Sequence, residues 1–181
     1  IAQVHDADVV VVIGTKVPTA VVEALTQCRV IARQGTGTDK IDVARATELG
    51  IVVTNTPYFC IEEQADHAMA MLLSLARKLT EAQNAMATGD VMRARRVVSH
   101  NLRLSTTTLG LVGFGRSAVH TARRARGFGM RVLATRNNKT APTDTADALG
   151  VIMTDLDTVL RESDFVSLHL PLTTASYHLI D

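Results

Sequence analysis

The pattern of apolar residues in the first third of the chain predicts strands that alternate with helices. Three runs rich in apolar residues predict strands, at residues 7–13, 29–32 and 51–54, and the first has the character of a parallel strand covered on both faces. Pro18 suits the first turn of a helix between the first two runs. A second helix is predicted over residues 40–49, because Gly50 follows it in the position of a C-terminal capping glycine. The resulting β-α-β-α-β order predicts a parallel sheet, with a flavodoxin-like or Rossmann-like layer as the simplest arrangement.

A long helix is predicted next, from about residue 62 to the region of residue 79. Its apolar residues at helical spacing form one stripe, namely Ala65, Met69, Leu72, Leu73 and Ala76. Such a stripe indicates a face buried in a core or an interface. Residues 88–107 then contain many arginines and few large apolar residues, which favours a solvated interdomain linker. We therefore place the domain boundary within this segment and divide the chain into residues 1–92 and 93–181.

The most informative motif is GLVGFGRSA at residues 110–118, between a strand-like run and an alanine-rich helical run. Gly113, Gly115 and Ala118 occupy the small-residue positions of the G-x-G-x-x-G/A turn that binds dinucleotides. The first glycine permits the tight turn, the second lets the backbone approach a pyrophosphate, and the alanine lets the helix pack closely. We assign Arg116 and Ser117 to the same cofactor site, at a helix N-terminus that carries partial positive charge. The glycines alone also occur in ordinary strand-turn-helix units, but their flanks favour cofactor binding.

The loop after the next predicted strand, residues 131–135, bears on the choice of cofactor. An NAD-binding fold places an acid on the ribose hydroxyl about 20 residues after the glycine turn. This loop has no acid and instead begins with Arg136, followed by Asn137, Asn138 and Lys139. These side chains suit a ribose 2′-phosphate, although an exposed polar turn has a similar composition. We therefore expect NAD(P) as the cofactor, with NADP favoured.

The strand predicted over residues 165–168 leads into the sequence HLPLTTAS. Ligands of an open α/β sheet lie beyond the carboxyl ends of its strands. His169, Pro171, Thr173 and Ser176 are therefore predicted to meet the nicotinamide half of the cofactor, although a lone histidine is more often structural. The six histidines form no HExxH pair, so we predict no metal site.

Composition and charge exclude several classes of partner. The formal net charge is +1, from 19 basic and 18 acidic residues, and aromatic residues make up only 3% of the chain. This balance gives no reason to expect binding to nucleic acid or to an anionic membrane. No apolar run approaches the length of a membrane span and no signal-peptide pattern opens the chain, so the cytoplasm is the expected compartment. The expected partner is a small molecule.

Taken together, the motifs resemble one family, the D-2-hydroxyacid dehydrogenases, which include phosphoglycerate dehydrogenase and the corepressors called C-terminal binding proteins. The resemblance rests, in chain order, on ARQGTGTDKIDVARATELGIVVTNTP, CIEEQADHAMAMLLSLARKL, TLGLVGFGRSAVHTARRARGFGMRVLA and SDFVSLHLPLTTASYHLID. It implies a flavodoxin-like substrate domain, a Rossmann cofactor domain and a homodimer. It also implies that backbone N–H groups of Gly35, Thr36 and Gly37 hold the substrate carboxylate, as a glycine loop at a strand end can do.

The sequence departs from the family pattern at several points. The family's catalytic arginine, glutamate and histidine lie beyond the segment that ends at Asp181, so no residue here is assigned to catalysis, and neither His67 nor His100 is put in their place. The first part of the substrate domain also has no counterpart, so both domains are expected to be incomplete. Ser117 replaces an aliphatic residue and Arg136 replaces an aspartate, which argues against a simple preference for NAD.

The leading hypothesis is an NAD(P)-dependent oxidoreductase that transfers a hydride between nicotinamide and a small D-2-hydroxy or 2-oxo acid. In such an enzyme the protein positions the reactants and the cofactor carries the chemistry. A cofactor-sensing regulatory protein, similar to the corepressors, is an alternative because it keeps the same dinucleotide site. An inactive homologue is the remaining alternative.

Overall fold

The computed structural model describes residues 4–180, which form two compact units. The first unit contains residues 4–59 and 171–180, and the second contains residues 60–170. Each unit holds one parallel β-sheet with helices packed on it. The predicted α/β fold class is therefore confirmed.

The first unit is built on a three-stranded sheet in the order β1-β2-β3. Its elements are β1 (Val9–Val12), α1 (Thr19–Glu23), β2 (Val30–Arg33), α2 (Val43–Glu48) and β3 (Val52–Thr54). Val22 of α1 and Ala46 of α2 pack with Ile31 of the central strand, and all three are fully buried. Val9 and Val11 point to the opposite face and are exposed. Among the described residues only one face of this sheet is covered, in contrast to the prediction, because both helices lie on the same side.

The second unit opens with three helices, α3 (Ile61–Arg77), α4 (Leu79–Ala87) and α5 (Val91–Val98). The apolar stripe predicted on α3 is confirmed, since Met69 and Leu72 are buried against alanines of a later helix, α6 (Arg116–Gly127). The guanidinium of Arg124 on α6 also binds α3, at 2.5 Å from a carboxylate oxygen of Glu62 and 2.6 Å from one of Asp66. Packing and ion pairs together place α3 in the second unit.

The segment predicted to be a solvated interdomain linker, residues 88–107, is mostly helical, and its role as a linker remains a prediction. Asp90 caps α5 by accepting a hydrogen bond from the backbone N–H of Arg93 at 2.8 Å, and Ala94 is buried. Arginine is a good helix former, so an arginine-rich segment with a capping residue can be helical as well as solvated. The compact units divide between residues 59 and 60, not at 92 and 93. The functional division into residues 1–92 and 93–181 remains a prediction.

The sheet of the second unit has four parallel strands in the order β6-β5-β4-β7. Its elements are a short 3-10 helix (Leu104–Thr106), β4 (Thr108–Val112), α6, β5 (Arg131–Thr135), α7 (Asp144–Ala148), β6 (Ile152–Met153), α8 (Leu156–Glu162) and β7 (Phe165–Leu168). Every residue of β4 is buried. Leu109 and Leu111 pack with the alanines of α6, whereas Val112 packs with Val159 of α8. Helices therefore cover both faces, as in a doubly wound Rossmann-like domain.

Candidate functional site

The point where the strand order of the second sheet reverses marks the candidate site. From β4 the chain adds β5 and then β6 on one side, and it returns to place β7 on the other side of β4. Val112 and Leu168, the last residues of β4 and β7, are partners in the parallel register. Ligands of doubly wound sheets bind beyond the carboxyl ends of the strands at such a switch point. Gly113 and His169, which follow these two strands, therefore lie side by side at the expected place.

Gly113 is a glycine because the fold requires one. Its φ is +97°, a conformation that residues with a Cβ rarely adopt. A Cβ here would collide with the carbonyl oxygen of His169 and would lie 2.7 Å from the carbonyl carbon of the same residue. Its own N–H donates to the carbonyl of Thr135 at 2.9 Å. The role predicted for this residue, to permit a tight turn, agrees with its geometry.

Gly115 differs, because nothing in the protein requires a glycine there. Its φ is −97°, and a Cβ built on it would have no protein atom within 4 Å apart from those of its two chain neighbours. It is the N-terminal capping residue of α6, where no side chain accepts a hydrogen bond from the helix and no acid occupies the first turn. The first N–H groups of a helix lack partners within the helix and carry partial positive charge. Open space beside such amides fits the pyrophosphate of a dinucleotide, and a Cβ would fill that space.

Ala118 serves the packing of the same helix. It is fully buried in the cluster that contains Leu109 and Leu111 of β4. Its small side chain lets the first turn of α6 lie close to the strand, as predicted. Arg116 and Ser117, the first two residues of α6, lie between this contact and the open position at Gly115.

A hydrogen-bonded trio joins α6 to the end of β7. The Nδ1 atom of His169 lies 3.1 Å from the hydroxyl of Ser117, and its Nε2 atom lies 3.0 Å from the hydroxyl of Ser167. Burial lowers the pKa of His169 below its ordinary value of 6.5, so the imidazole is neutral at pH 7. A neutral ring has one donor and one acceptor nitrogen, and each serine hydroxyl can play either part.

This trio explains the serine that stands in place of an aliphatic residue at position 117. The Ser117 hydroxyl is partnered by His169 inside the protein. Sequence reasoning missed Ser167, although its position two residues before His169, on the same side of β7, was a usable signal.

Arg136 follows the last residue of β5, at the position predicted from the sequence. It is half-buried, and its Nη2 atom donates to the carbonyl oxygens of Ala141 and, at 3.0 Å, Pro142. Among residues 4–180 no carboxylate forms an ion pair with it. Asn138 shapes the same loop by accepting from the backbone N–H of Thr140 at 3.1 Å. The Arg136 guanidinium thus carries a positive charge that no acid of the described chain pairs with.

Asn137 and Lys139 are exposed on the same loop. The ammonium group of Lys139 has no ion-pair partner within the described residues. Both positions are compatible with a solvated turn, and they are equally compatible with binding a charged ligand. Their role beside a ribose phosphate therefore remains a prediction.

The glycine loop predicted to bind a carboxylate follows β2 in the first unit. Gly35 is buried with a φ of +153°, and its carbonyl accepts from the N–H of Thr56 at 3.1 Å. The amide side chain of Asn55 donates to the carbonyl of Thr36 at 2.8 Å. The N–H of Gly35 itself donates to the carbonyl of Arg33 at 3.0 Å. Of the three predicted donors, Thr36 and Gly37 therefore keep N–H groups that bond no acceptor in the described chain.

Pro171, Thr173 and Ser176 form a local turn that groups with the first unit. The Ser176 hydroxyl donates to the carbonyl of Pro171 at 2.7 Å, and the N–H of Thr173 donates to that hydroxyl at 2.7 Å. Their predicted contact with the nicotinamide half of a cofactor remains a prediction.

Within residues 4–180 no helix combines the length and apolar character that crossing a membrane demands. Over the same residues, histidine, cysteine, aspartate and glutamate side chains form no group of three or more able to hold a metal ion.

Known proteins with similar sequences point to the same family as the motifs. The chain is 38% identical over 184 residues to the glyoxylate reductase of Thermococcus litoralis, an alignment that covers 98% of this chain and 55% of that protein. It is 38% identical over 179 residues to the hydroxypyruvate reductase of Thermotoga maritima, covering 98% of this chain and 56% of that protein. The chain therefore spans about half the length of the curated relatives that it matches.

Solved structures and the family match complete the comparison. The crystal structure of a D-lactate dehydrogenase from Aquifex aeolicus complexed with NAD and lactic acid matches with a TM-score of 0.88 at 27% identity, over 97% of this chain and 51% of that chain. Residues 69–181 match the family described as D-isomer specific 2-hydroxyacid dehydrogenase, NAD binding domain. The chain therefore belongs to the D-isomer specific 2-hydroxyacid dehydrogenase family.

Proposed function

We propose that the intact protein is an NAD(P)-dependent oxidoreductase that transfers a hydride between nicotinamide and a small D-2-hydroxy or 2-oxo acid. The observation that carries the proposal is the open position at Gly115, beside the amides of a helix N-terminus at the switch point of a doubly wound sheet. The names of the relatives, glyoxylate reductase and hydroxypyruvate reductase, support the substrate class.

The residues present fit a dinucleotide. The backbone of Gly115, Arg116 and Ser117 would hold the pyrophosphate, and Arg136 would meet the ribose at the end of β5. When bound, the nicotinamide supplies the hydride chemistry. The protein's own contribution within this chain is to bind and orient, and we expect the catalytic arginine, glutamate and histidine beyond Asp181.

NADP is the form of cofactor that we propose to be favoured. Arg136 carries a positive charge at the strand end where NAD-binding folds place an acid. No ion pair within residues 4–180 neutralises that charge, and only Nη2 of its guanidinium bonds loop carbonyls. A 2′-phosphate would gain a charge-assisted contact there.

The acid would bind at the loop from Gly35 to Gly37, and this assignment gives a first prediction. A side chain at Gly35 would meet the Arg33 guanidinium at 2.8 Å, in a backbone conformation that favours glycine. Gly35→Val in the intact protein should therefore distort the loop and raise KM for the acid about 10-fold, by the loss of a charge-assisted contact. Steady-state kinetics measure KM for the acid, and titration with dinucleotide measures the affinity for the cofactor separately. An unchanged KM in a folded variant would remove this loop from the site.

The intact protein is further proposed to be a homodimer. Helices α3 to α5 expose several large apolar side chains that a second copy could cover, namely Met71, Leu75, Leu79, Met86 and Met92. Sedimentation velocity on the intact protein tests this proposal, and a monomer at micromolar concentration would refute it. The cytoplasm is the proposed compartment.

The direct test of function is an assay of the intact protein with glyoxylate, hydroxypyruvate and pyruvate, each with NADH and NADPH. Oxidation of the reduced cofactor that depends on the acid is the expected result. Tight dinucleotide binding with no turnover of any acid would favour the cofactor-sensing alternative. Absence of both dinucleotide binding and turnover would leave only the hypothesis of an inactive homologue.

A further inference from the structure

Arg33, the last residue of β2, has an unusual set of partners. Its Nε atom donates to the carbonyl of Gly37 at 3.1 Å, and its Nη1 atom donates to the carbonyl of Gln34 at 2.6 Å and to that of Ile13. These carbonyls belong to the segment after β1 and to the two ends of the glycine loop. One planar guanidinium thus forms hydrogen bonds both to the loop and to the segment that follows β1.

No carboxylate among residues 4–180 lies within ion-pair distance of Arg33, although the side chain is half-buried. Arg45, in the same unit, shows the contrasting case, because it pairs with Glu23 at 3.0 Å and with Glu48 at 2.8 Å. Asp39 lies near Gly37, where a built Cβ would sit 2.7 Å from its Oδ1 atom, but it forms no ion pair with Arg33. A partly desolvated positive charge with only neutral acceptors is a site that favours an anion.

The free donors of the loop lie next to this charge. The N–H groups of Thr36 and Gly37 bond no acceptor in the described chain, and both residues are exposed. Gly35 lies directly against the guanidinium, since a Cβ there would be 2.8 Å from its central carbon. The guanidinium therefore packs against Gly35 and leaves the exposed N–H groups of Thr36 and Gly37 available to a ligand.

We propose that Arg33 is a positioning residue for the carboxylate of the substrate. It holds the carbonyls of Gln34 and Gly37 so that the amides of Thr36 and Gly37 stay available to an anion. It also places a positive charge behind them. This inference rests on the proposed function, because it names the group that shapes the acid-binding loop of that enzyme.

Kinetics of the intact protein give the first test. Arg33→Met should raise KM for the 2-oxo acid at least about 10-fold, while the dissociation constant for NADPH stays within about twofold. Arg33→Lys should recover only part of the loss, because an ammonium cannot bridge the carbonyls as a planar guanidinium does. Arg29→Met is the matched control, since it removes the same charge just before the same strand and should leave KM unchanged. An unchanged KM in Arg33→Met, or an equal loss of affinity for acid and dinucleotide, would overturn the proposal.

A second measurement does not depend on turnover. In the isotope-labelled intact protein, titration with oxamate, a small carboxylate that mimics a 2-oxo acid, should shift the backbone amide resonances of Thr36 and Gly37. Arg33→Met should abolish these shifts and Arg29→Met should retain them. Shifts that depend on Arg33 in a protein without activity would sustain the inference while the proposed function fails. Absence of the shifts in the parent protein, or their persistence in Arg33→Met, would refute the inference whatever the activity.

Discussion

Replacing Gly115 by alanine is expected to weaken dinucleotide binding about 10-fold to 100-fold, the range for losing a hydrogen bond to a charged group. The added Cβ would occupy the open space beside the first amides of α6 and push the pyrophosphate away from them. The free energy of unfolding should fall by no more than about 1 kcal/mol, because the one expected cost to stability is that alanine caps a helix less well than glycine. Calorimetric titration with NADPH and urea unfolding measure the two quantities.

Substitutions at two other glycines provide comparisons for the effects of Gly115→Ala on binding and stability. Gly127, the last residue of the same helix, also has open space at a built Cβ, so Gly127→Ala should leave binding unchanged and should raise the free energy of unfolding by no more than about 1 kcal/mol. Gly113→Ala should instead destabilise the second unit by about 3 kcal/mol or more, because strain at a positive φ adds to the collision with His169. If Gly115→Ala bound NADPH as tightly as Gly127→Ala, the turn from Gly113 to Ala118 could not be the pyrophosphate site.

Arg136→Asp is expected to shift cofactor preference from NADPH towards NADH. A charge-assisted contact to a phosphate is worth about 1.5 to 3 kcal/mol, so the ratio of kcat/KM for the two cofactors should move by about 10-fold to 100-fold. Arg136→Gln removes the positive charge without adding a negative one and should give an intermediate ratio. The ratio is the measured quantity, so a general loss of activity cancels from it.

Arg123→Asp supplies the control for this substitution. Arg123 is exposed on α6, so the control makes the same change in net charge on the surface of that helix. Its cofactor ratio should equal that of the parent protein. A parent that already prefers NADH, or an Arg136→Asp variant with an unaltered ratio, would show that the Arg136 loop is only a solvated turn.

Local sequence patterns were enough to predict the glycine turn and the strands around it. The spacing of Gly113, Gly115 and Ala118 after an apolar run requires no knowledge of distant contacts. The placement of His169 at the carboxyl end of a strand also follows, because ligands of an open α/β sheet lie beyond those strand ends. Backbone connectivity therefore determined most of the candidate cofactor site.

The features that sequence reasoning missed depend on contacts between residues that are distant in the chain. Ser117 meets His169 across 52 residues, and Arg33 meets the carbonyl of Ile13 across 20 residues. The helical nature of α5 was missed for a different reason. Its arginines were interpreted by their charge, although the cap at Asp90 and the buried Ala94 show a helix with one packed face.

We propose that the intact protein passes a hydride from nicotinamide to the alpha carbon of a small 2-oxo acid. The most direct measurement incubates it with NADPH deuterated at the transferable position of the nicotinamide, with glyoxylate, hydroxypyruvate or pyruvate, and examines the product by mass spectrometry and NMR. We expect a 2-hydroxy acid that carries the deuterium on its alpha carbon for at least one of these acids. The proposal would be wrong if the product lacked deuterium at the alpha carbon when each face of the nicotinamide was labelled in turn. It would also be wrong if no product formed with either NADPH or NADH.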